Sequence, residues 1–144
     1  QRWLDRFGPF EFRPVRGADP DDHIPQPPYK ELWFKLHGEL PDEPHLHRAL
    51  LAYVSDFHLV GTATLPHGIS WVQDDLMMAS LDHAMWFHRE FKADEWLLYA
   101  QESPSAAAAR GFCRGSVFDR QGRLVASTAQ EGLIRRRMTA FEVK

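Results

Sequence analysis

A run of apolar residues with helical spacing lies between Pro44 and Phe57, in the sequence PHLHRALLAYVSDF. One helix face collects apolar residues at the i, i+3, i+4 and i+7 positions, which are Leu46, Ala49, Leu50, Tyr53, Val54 and Phe57. Leu51 and Ala52 widen this face. A helix that is apolar over most of its circumference needs cover on several sides, so we expect it to lie at the centre of the fold.

The two ends of this helix carry further signals. Asp42 and Glu43 offer a capping carboxylate, and Pro44 suits a first turn, which has no amide hydrogen bond to lose. Gly61 is expected to stop the helix. Asp56 does not fit a purely structural helix, because it lies near the C-terminus, where the helix dipole disfavours a negative charge. Its neighbours are apolar and aromatic, so we expect it to be buried and treat it as a candidate functional residue.

Six segments alternate apolar and polar residues with the period of two that is typical of strands. They are FEFRPV at 10–15, ELWFKLHG at 31–38, LMMASLDHAMWFHR at 76–89, EWLLYAQES at 95–103, RGFCRGSVFD at 110–119 and RLVASTAQEGLIRR at 123–136. The first is expected to end at Pro14, and the last two to form a hairpin around the turn DRQG. We expect 17–28 to be an extended linker, 62–75 a loop, and the alanine run 106–109 the irregular start of a strand rather than a helix.

Composition narrows the class of protein. The chain has 144 residues, 44% of them apolar, which is enough for one domain with a single core. A net charge of −3 argues against a general nucleic-acid binder or a membrane-surface binder. A lone Cys113 cannot form a disulfide within the chain, and no apolar run approaches the ~18 residues of a membrane span. We therefore expect a cytoplasmic protein, and the start at Gln1 rather than Met favours a piece of a longer one.

The eight histidines invite a metal site, but their spacing does not support one. His45 and His47 are two residues apart on a helix and point in different directions. His83 and His88 fall on opposite faces of a predicted strand. We therefore expect neither a metal nor another cofactor, and we expect Cys113 to be a small core residue rather than a nucleophile.

Five segments together resemble the acyl-CoA thioesterase II (TesB-like) family, and specifically the second of its two hotdog repeats. They are LLAYVSDF, LPHGI, SLDHAMWFHR, EWLLYAQESPSAAAARG and GRLVASTAQEGLIR. One long helix followed by antiparallel strands predicts an α+β protein by itself. The resemblance adds the hotdog fold, an antiparallel sheet wrapped around one long central helix. It also implies that 1–29 is an inter-repeat linker with a short strand, and that 30–144 is the hotdog thioesterase domain, the second half of a double hotdog.

The resemblance implies hydrolysis of fatty acyl-CoA to free fatty acid and CoA. In the family an aspartate, a hydroxyl residue and a glutamine hold the attacking water, and the matching positions here are Asp56, Ser80 and Gln130. A thioester carbonyl is electrophilic enough that no covalent intermediate is required. Judged singly, each residue also has a structural interpretation: Asp56 could bond a backbone amide, Ser80 could be an ordinary strand serine, and Gln130 could face solvent.

Two other functions stay open. One is a non-catalytic acyl-CoA-binding or assembly half that needs another hotdog repeat, either an N-terminal half or a second copy of this chain. The other is hydration of enoyl-CoA, which pairs an aspartate with a histidine in a segment that this sequence lacks. Because hotdog units pair through their sheets, the resemblance implies a homo-oligomer or a complex with the first repeat. The exposed arginines Arg110, Arg114 and Arg135 to Arg137 could meet CoA phosphates or could simply be solvated.

Overall fold

A computed structural model describes residues 8–16, 23–70, 73 and 75–136 of the chain. Within these residues the chain forms strands, one α-helix and one 3₁₀ helix. In chain order they are β1 (Phe10–Arg16), β2 (Tyr29–Leu36), α1 (Pro44–Ser55), the 3₁₀ helix (Val60–His67), β3 (Leu76–Ser80), β4 (Ala84–Phe87), β5 (Leu97–Ala107), β6 (Arg110–Phe118) and β7 (Leu124–Arg136). No helix among the described residues is long and apolar enough to cross a membrane.

All the strands belong to one antiparallel sheet with the order β1, β2, β5, β6, β7, and both β3 and β4 pair with β7 in succession. The alternation of each strand turns one set of side chains toward α1. On β2 these are Leu32, Phe34 and Leu36, which are buried as predicted. They form one core with Leu51 and Val54 of α1. A sheet wrapped around a single helix confirms the α+β class and the hotdog fold.

The helix ends earlier than predicted. Its last residue is Ser55, and His58 then adopts a left-handed conformation with φ of 65°. The chain continues as the 3₁₀ helix from Val60, so Gly61 lies inside a helical segment and does not stop one. The stretch 62–75, predicted to be a loop, is therefore helical as far as His67. At the other end Pro44 occupies the first turn as predicted, but Glu43 caps it without a side-chain hydrogen bond.

The helix face that meets the sheet is also narrower than predicted. The buried residues are His47, Leu51, Val54 and Ser55. Ala49, Ala52 and Tyr53 are exposed, and the Tyr53 ring stacks with Phe10 at a centroid distance of 6.2 Å. The sheet therefore covers one side of α1 and leaves the opposite side to solvent.

The long strand predicted at 76–89 is two strands separated by a bulge. Ser80 pairs with Gly132 on β7, whereas Ala84 pairs with Ala129, so one more residue intervenes on this side than on β7. The amides of Leu81 and Asp82 both donate to the carbonyl oxygen of Glu131, at 2.9 and 3.4 Å. An extra residue reverses the alternation of a strand. In a regular strand, two residues separated by an odd number of positions face opposite sides of the sheet. When the bulge lies between them, they face the same side.

The strand ends bring two smaller changes. Pro14 lies inside β1, next to a register shift on this edge strand, and does not end it. The alanine run belongs to the end of β5 and to a two-residue turn, in which Ala108 and Ala109 have φ of 52° and 60°. The DRQG hairpin forms as predicted, and the Asp119 carboxylate accepts hydrogen bonds from the amides of Gln121 and Arg123.

The two-residue turn between β5 and β6 offers a direct stability test. Left-handed backbone costs about 1–2 kcal/mol for a residue with a Cβ, and Asn-Gly is the pair that such hairpin turns prefer. We expect the double change Ala108→Asn with Ala109→Gly to raise the free energy of unfolding by about 1–2 kcal/mol, measured by urea denaturation. The control is Ala106→Gly within β5, which should lower it by about 0.5–1 kcal/mol. Equal effects from both changes would contradict the assigned turn.

Candidate active site

Three polar side chains from distant parts of the sequence meet beside the C-terminal end of α1. Asp56 follows the last residue of the helix, Ser80 ends β3, and Gln130 lies in the middle of β7. Gln130 Nε2 donates to Asp56 Oδ1 at 2.7 Å and to Ser80 Oγ at 2.5 Å. Ser80 Oγ donates to the same oxygen of Asp56 at 3.0 Å. One carboxylate oxygen therefore accepts hydrogen bonds from both other members of the cluster.

The structure thus brings together the three residues singled out from the sequence, although their role in catalysis stays a prediction. The expected burial of Asp56 is wrong. Asp56 and Ser80 are exposed in this chain, although Val54 and Ser55, directly before Asp56, are buried. Gln130 is fully buried, so the cluster runs from the core to the surface. Both of the hydrogen bonds to this carboxylate within the described part of the chain go to Asp56 Oδ1, and none goes to Oδ2.

Asp56 and Ser80 line a depression of about 330 Å³ in the surface. The other residues that line it come from three segments. His58 lies in the turn before the 3₁₀ helix, Val60 and Gly61 lie in that helix, and Leu76 and Met78 lie in β3. The 3₁₀ helix lies close to β7 because Gly132 has no side chain, and a Cβ at that position would overlap Val60. The depression joins a polar cluster to an apolar wall, which suits a ligand with a reactive polar group and an apolar tail.

A fourth side chain, His83, contacts Gln130 on the side away from Asp56 and Ser80. Its Nδ1 lies 2.6 Å from Gln130 Oε1, and its Nε2 lies 2.9 Å from Ser55 Oγ. Sequence reasoning considered His83 only as a metal ligand and missed this contact. The signal was present, since His83 lies in the segment SLDHAMWFHR that carries the family resemblance.

A buried hydrogen-bonded chain ties this region to the core. The Tyr99 hydroxyl donates to the carbonyl oxygen of Ser55 at 2.8 Å and lies 2.8 Å from Thr128 Oγ1. Tyr99 is almost completely buried, and desolvation raises the pKa of its phenol above the ordinary value. The last turn of α1 is therefore held by β5 and β7 immediately before Asp56.

The turn between α1 and the 3₁₀ helix is held by a buried cation. Lys30 is 4% exposed, and its Nζ donates to the carbonyl oxygen of His58 at 2.7 Å. Desolvation lowers the pKa of Lys30 to about 8. Desolvation, with a smaller effect of the Lys30 charge, lowers the pKa of His58 to about 3, so its imidazole is neutral at physiological pH. Lys30 thereby fixes the left-handed residue that follows Asp56 by two positions.

The remaining candidates from the sequence lie outside this cluster. Three of the arginines suggested for CoA phosphates already form ion pairs with carboxylates. They are Arg110 with Glu131 at 3.3 Å, Arg114 with Glu102 at 2.6 Å and Arg136 with Asp75 at 3.8 Å. Arg137 lies outside the described residues, and binding of CoA phosphates by these arginines stays a prediction.

Two other expectations concern single residues. Cys113 is fully buried in β6 as a small core residue, and desolvation raises the pKa of its thiol. His47 is buried, and its Nδ1 accepts the amide hydrogen of Ala93 at 3.1 Å. Among the residues that the structure describes, no group of three or more His, Cys, Asp or Glu side chains could hold a metal ion.

Comparison with known proteins identifies the family. The acyl-CoA thioesterase family model matches residues 24–133, which is more than half of the chain. The chain belongs to the acyl-CoA thioesterase family. Acyl-CoA thioesterase 2 of Haemophilus influenzae is 42% identical over 127 residues, which are 88% of this chain and 44% of that protein. Human acyl-coenzyme A thioesterase 8 is 37% identical over 137 residues, 94% of this chain and 42% of that protein.

A solved structure supports the same family. The acyl-CoA thioesterase II TesB2 from Mycobacterium marinum superimposes with a TM-score of 0.77 and is 42% identical, covering 92% of this chain and 51% of that one. The resemblance to the TesB-like thioesterases is therefore confirmed. The chain spans somewhat less than half the length of these two curated relatives.

Proposed function

We propose that this chain is the water-activating half of an acyl-CoA thioesterase that hydrolyses fatty acyl-CoA to free fatty acid and CoA. The observation that carries the proposal is the cluster of Asp56, Ser80 and Gln130 at the wall of an apolar depression. A carboxylate, a hydroxyl and an amide in mutual hydrogen bonding can orient one water molecule. Membership of the acyl-CoA thioesterase family supports acyl-CoA as the substrate.

In the proposed reaction Asp56 Oδ2 accepts a proton from a water molecule that Ser80 helps to orient. The water oxygen attacks the thioester carbonyl carbon, and the C–S bond then breaks. The proton held by Asp56 passes to the departing CoA thiolate, so the products are a free acid and CoA thiol. No covalent enzyme intermediate is needed, because the thioester is already electrophilic. Gln130 holds the Asp56 carboxylate and the Ser80 hydroxyl in place through its two N–H groups. Its own side chain is fully buried.

A second hotdog repeat is the proposed partner. The chain spans less than half of its curated relatives, and apolar side chains lie exposed in the bulge and along β4. Leu81, Trp86 and Phe87 are 54%, 52% and 40% exposed. Another repeat, either an N-terminal half or a second copy of this chain, would cover this patch and close the depression. In this arrangement 30–144 is the second half of a double hotdog, with 1–29 joining it to the first, and the cytoplasm is the proposed compartment.

Thiol release tests the proposal. We expect CoA thiol to be released above the spontaneous rate from acetyl-, octanoyl- or palmitoyl-CoA, by the chain alone or by the chain mixed with the first hotdog repeat of the family. A thiol-reactive dye follows the product. Binding of acyl-CoA by the mixture without any thiol release would overturn hydrolysis in favour of the non-catalytic half. With crotonyl-CoA, loss of the conjugated absorbance without thiol release would favour a hydratase instead.

A further inference from the structure

We propose that His83 is a positioning residue that holds the amide of Gln130 in the orientation in which both of its N–H groups face Asp56 and Ser80. This inference rests on the proposed function. The contact that carries it is the 2.6 Å approach of His83 Nδ1 to Gln130 Oε1. It lies on the side of Gln130 opposite to the two contacts of Nε2.

The donors and acceptors around Gln130 leave one consistent arrangement. The carboxylate of Asp56 can only accept hydrogen bonds, so the amide nitrogen of Gln130 must face it. Both N–H groups are then in use, toward Asp56 and Ser80, and Oε1 is left for His83. An acceptor such as Oε1 needs a donor, so His83 Nδ1 carries a proton. The opposite tautomer would rotate the amide and bring Oε1 against the Asp56 carboxylate.

The other side of the imidazole allows Nδ1 to keep its proton. Ser55 Oγ lies 2.9 Å from His83 Nε2 and 2.9 Å from the carbonyl oxygen of Ala52. The Ser55 hydroxyl can turn its single hydrogen to the Ala52 carbonyl and accept from Nε2, or turn it to Nε2 and donate. In both states Nδ1–H faces Gln130, so the orientation of the amide is maintained.

The fold supplies a reason for the placement of His83. Ser80 and His83 are three residues apart and would face opposite sides of a regular strand. The bulge between β3 and β4 inserts one residue and turns both toward α1. The Asp82 side chain secures the bulge, because its Oδ1 accepts the amide hydrogen of Glu131, the neighbour of Gln130, at 2.7 Å. Bulges beside active sites commonly re-aim a side chain in this way.

Two substitutions of His83 distinguish the role of Nδ1 from that of Nε2. The amide nitrogen of Asn can stand close to the position of Nδ1 and keep a donor for Gln130, whereas the longer Gln reaches the Nε2 side and loses that donor. We expect His83→Gln to lower kcat about 10- to 100-fold with little change in KM, since small displacements of a catalytic group cost about 10²-fold. His83→Asn should retain kcat within about threefold. The matched control is the same pair of changes at His88, an exposed histidine bonded to Ser127 outside the cluster.

A second readout does not depend on turnover. The two side-chain amide protons of Gln130, assigned by their absence in Gln130→Glu, should keep their NMR shifts in His83→Asn and move in His83→Gln. If the unmutated chain hydrolyses no acyl-CoA in any mixture, the proposed function fails while this readout still tests the position of the amide. Equal loss of kcat in both His83 variants, or unmoved Gln130 signals in His83→Gln, would overturn the inference.

Discussion

Replacing Asp56 with Asn is expected to lower kcat for acyl-CoA hydrolysis about 10²- to 10⁴-fold, which is the usual contribution of a general base. Asn has the size of Asp but cannot accept the proton of the attacking water. Its amide would also confront the donors of Gln130 and Ser80, which both point to Asp56 Oδ1. The measurement is steady-state thiol release in the form of the protein that turns over acyl-CoA, with kcat and KM determined separately.

The matched control for this change is Asp42→Asn, just before the other end of α1. Asp42 is exposed and pairs with Lys92 at 3.4 Å, so its loss should leave kcat unchanged. Circular dichroism of both variants should match the unmutated chain, which separates loss of chemistry from loss of fold. An Asp56→Asn variant that retains half of the original kcat would remove Asp56 from the reaction and the cluster from the mechanism.

Acidification from pH 7 to pH 4.5 is expected to lower the free energy of unfolding by about 2–3 kcal/mol through His58 alone. Burial lowers the pKa of His58 to about 3, whereas the unfolded chain keeps the ordinary value of 6.5. Below pH 6.5 the unfolded chain therefore binds a proton that the folded chain does not. The contribution of neutral His58 to the free energy of unfolding is fully present above pH 6.5. It decreases as the pH drops from 6.5 toward 3.

The variant His58→Asn isolates this effect. Asn tolerates the left-handed conformation that His58 adopts at φ of 65°, and it does not titrate. Urea denaturation at pH 7 and pH 4.5 should show that the variant loses about 2–3 kcal/mol less than the unmutated chain. His37→Asn, a change at an exposed histidine, should lose as much as the unmutated chain. Equal acid sensitivity of all three proteins would mean that His58 is not held neutral by its surroundings.

Local patterns predicted the strands well because alternation is a local property. The buried face of β2 and the DRQG hairpin follow directly from residue types a few positions apart. The end of α1 did not follow from such signals. Its position depends on His58, whose carbonyl is held by Lys30 from β2, 28 residues earlier in the chain. A helix end that is stabilised by a side chain far away in the sequence cannot be predicted from the sequence of the helix alone.

The candidate site divides in the same way. The resemblance to the acyl-CoA thioesterases pointed to Asp56, Ser80 and Gln130, while period counting placed Ser80 and His83 on one unbroken strand. The bulge that reorients His83 depends on two amides sharing the Glu131 carbonyl across the sheet. Cross-strand hydrogen bonds of this kind are decided by the partner strand, so the sequence of one strand does not reveal them.

By itself the sequence determined the α+β class, the central helix, the faces of most strands and, through its family segments, which three residues to examine. Only the tertiary structure decided that these residues meet, since Ser80 lies 24 residues from Asp56 and 50 from Gln130. It also decided that Asp56 is exposed and that the imidazole of His83 contacts the side-chain oxygen of Gln130. The physical reason is that helix ends, bulges and buried polar contacts are set by groups that become neighbours only when the sheet closes around the helix.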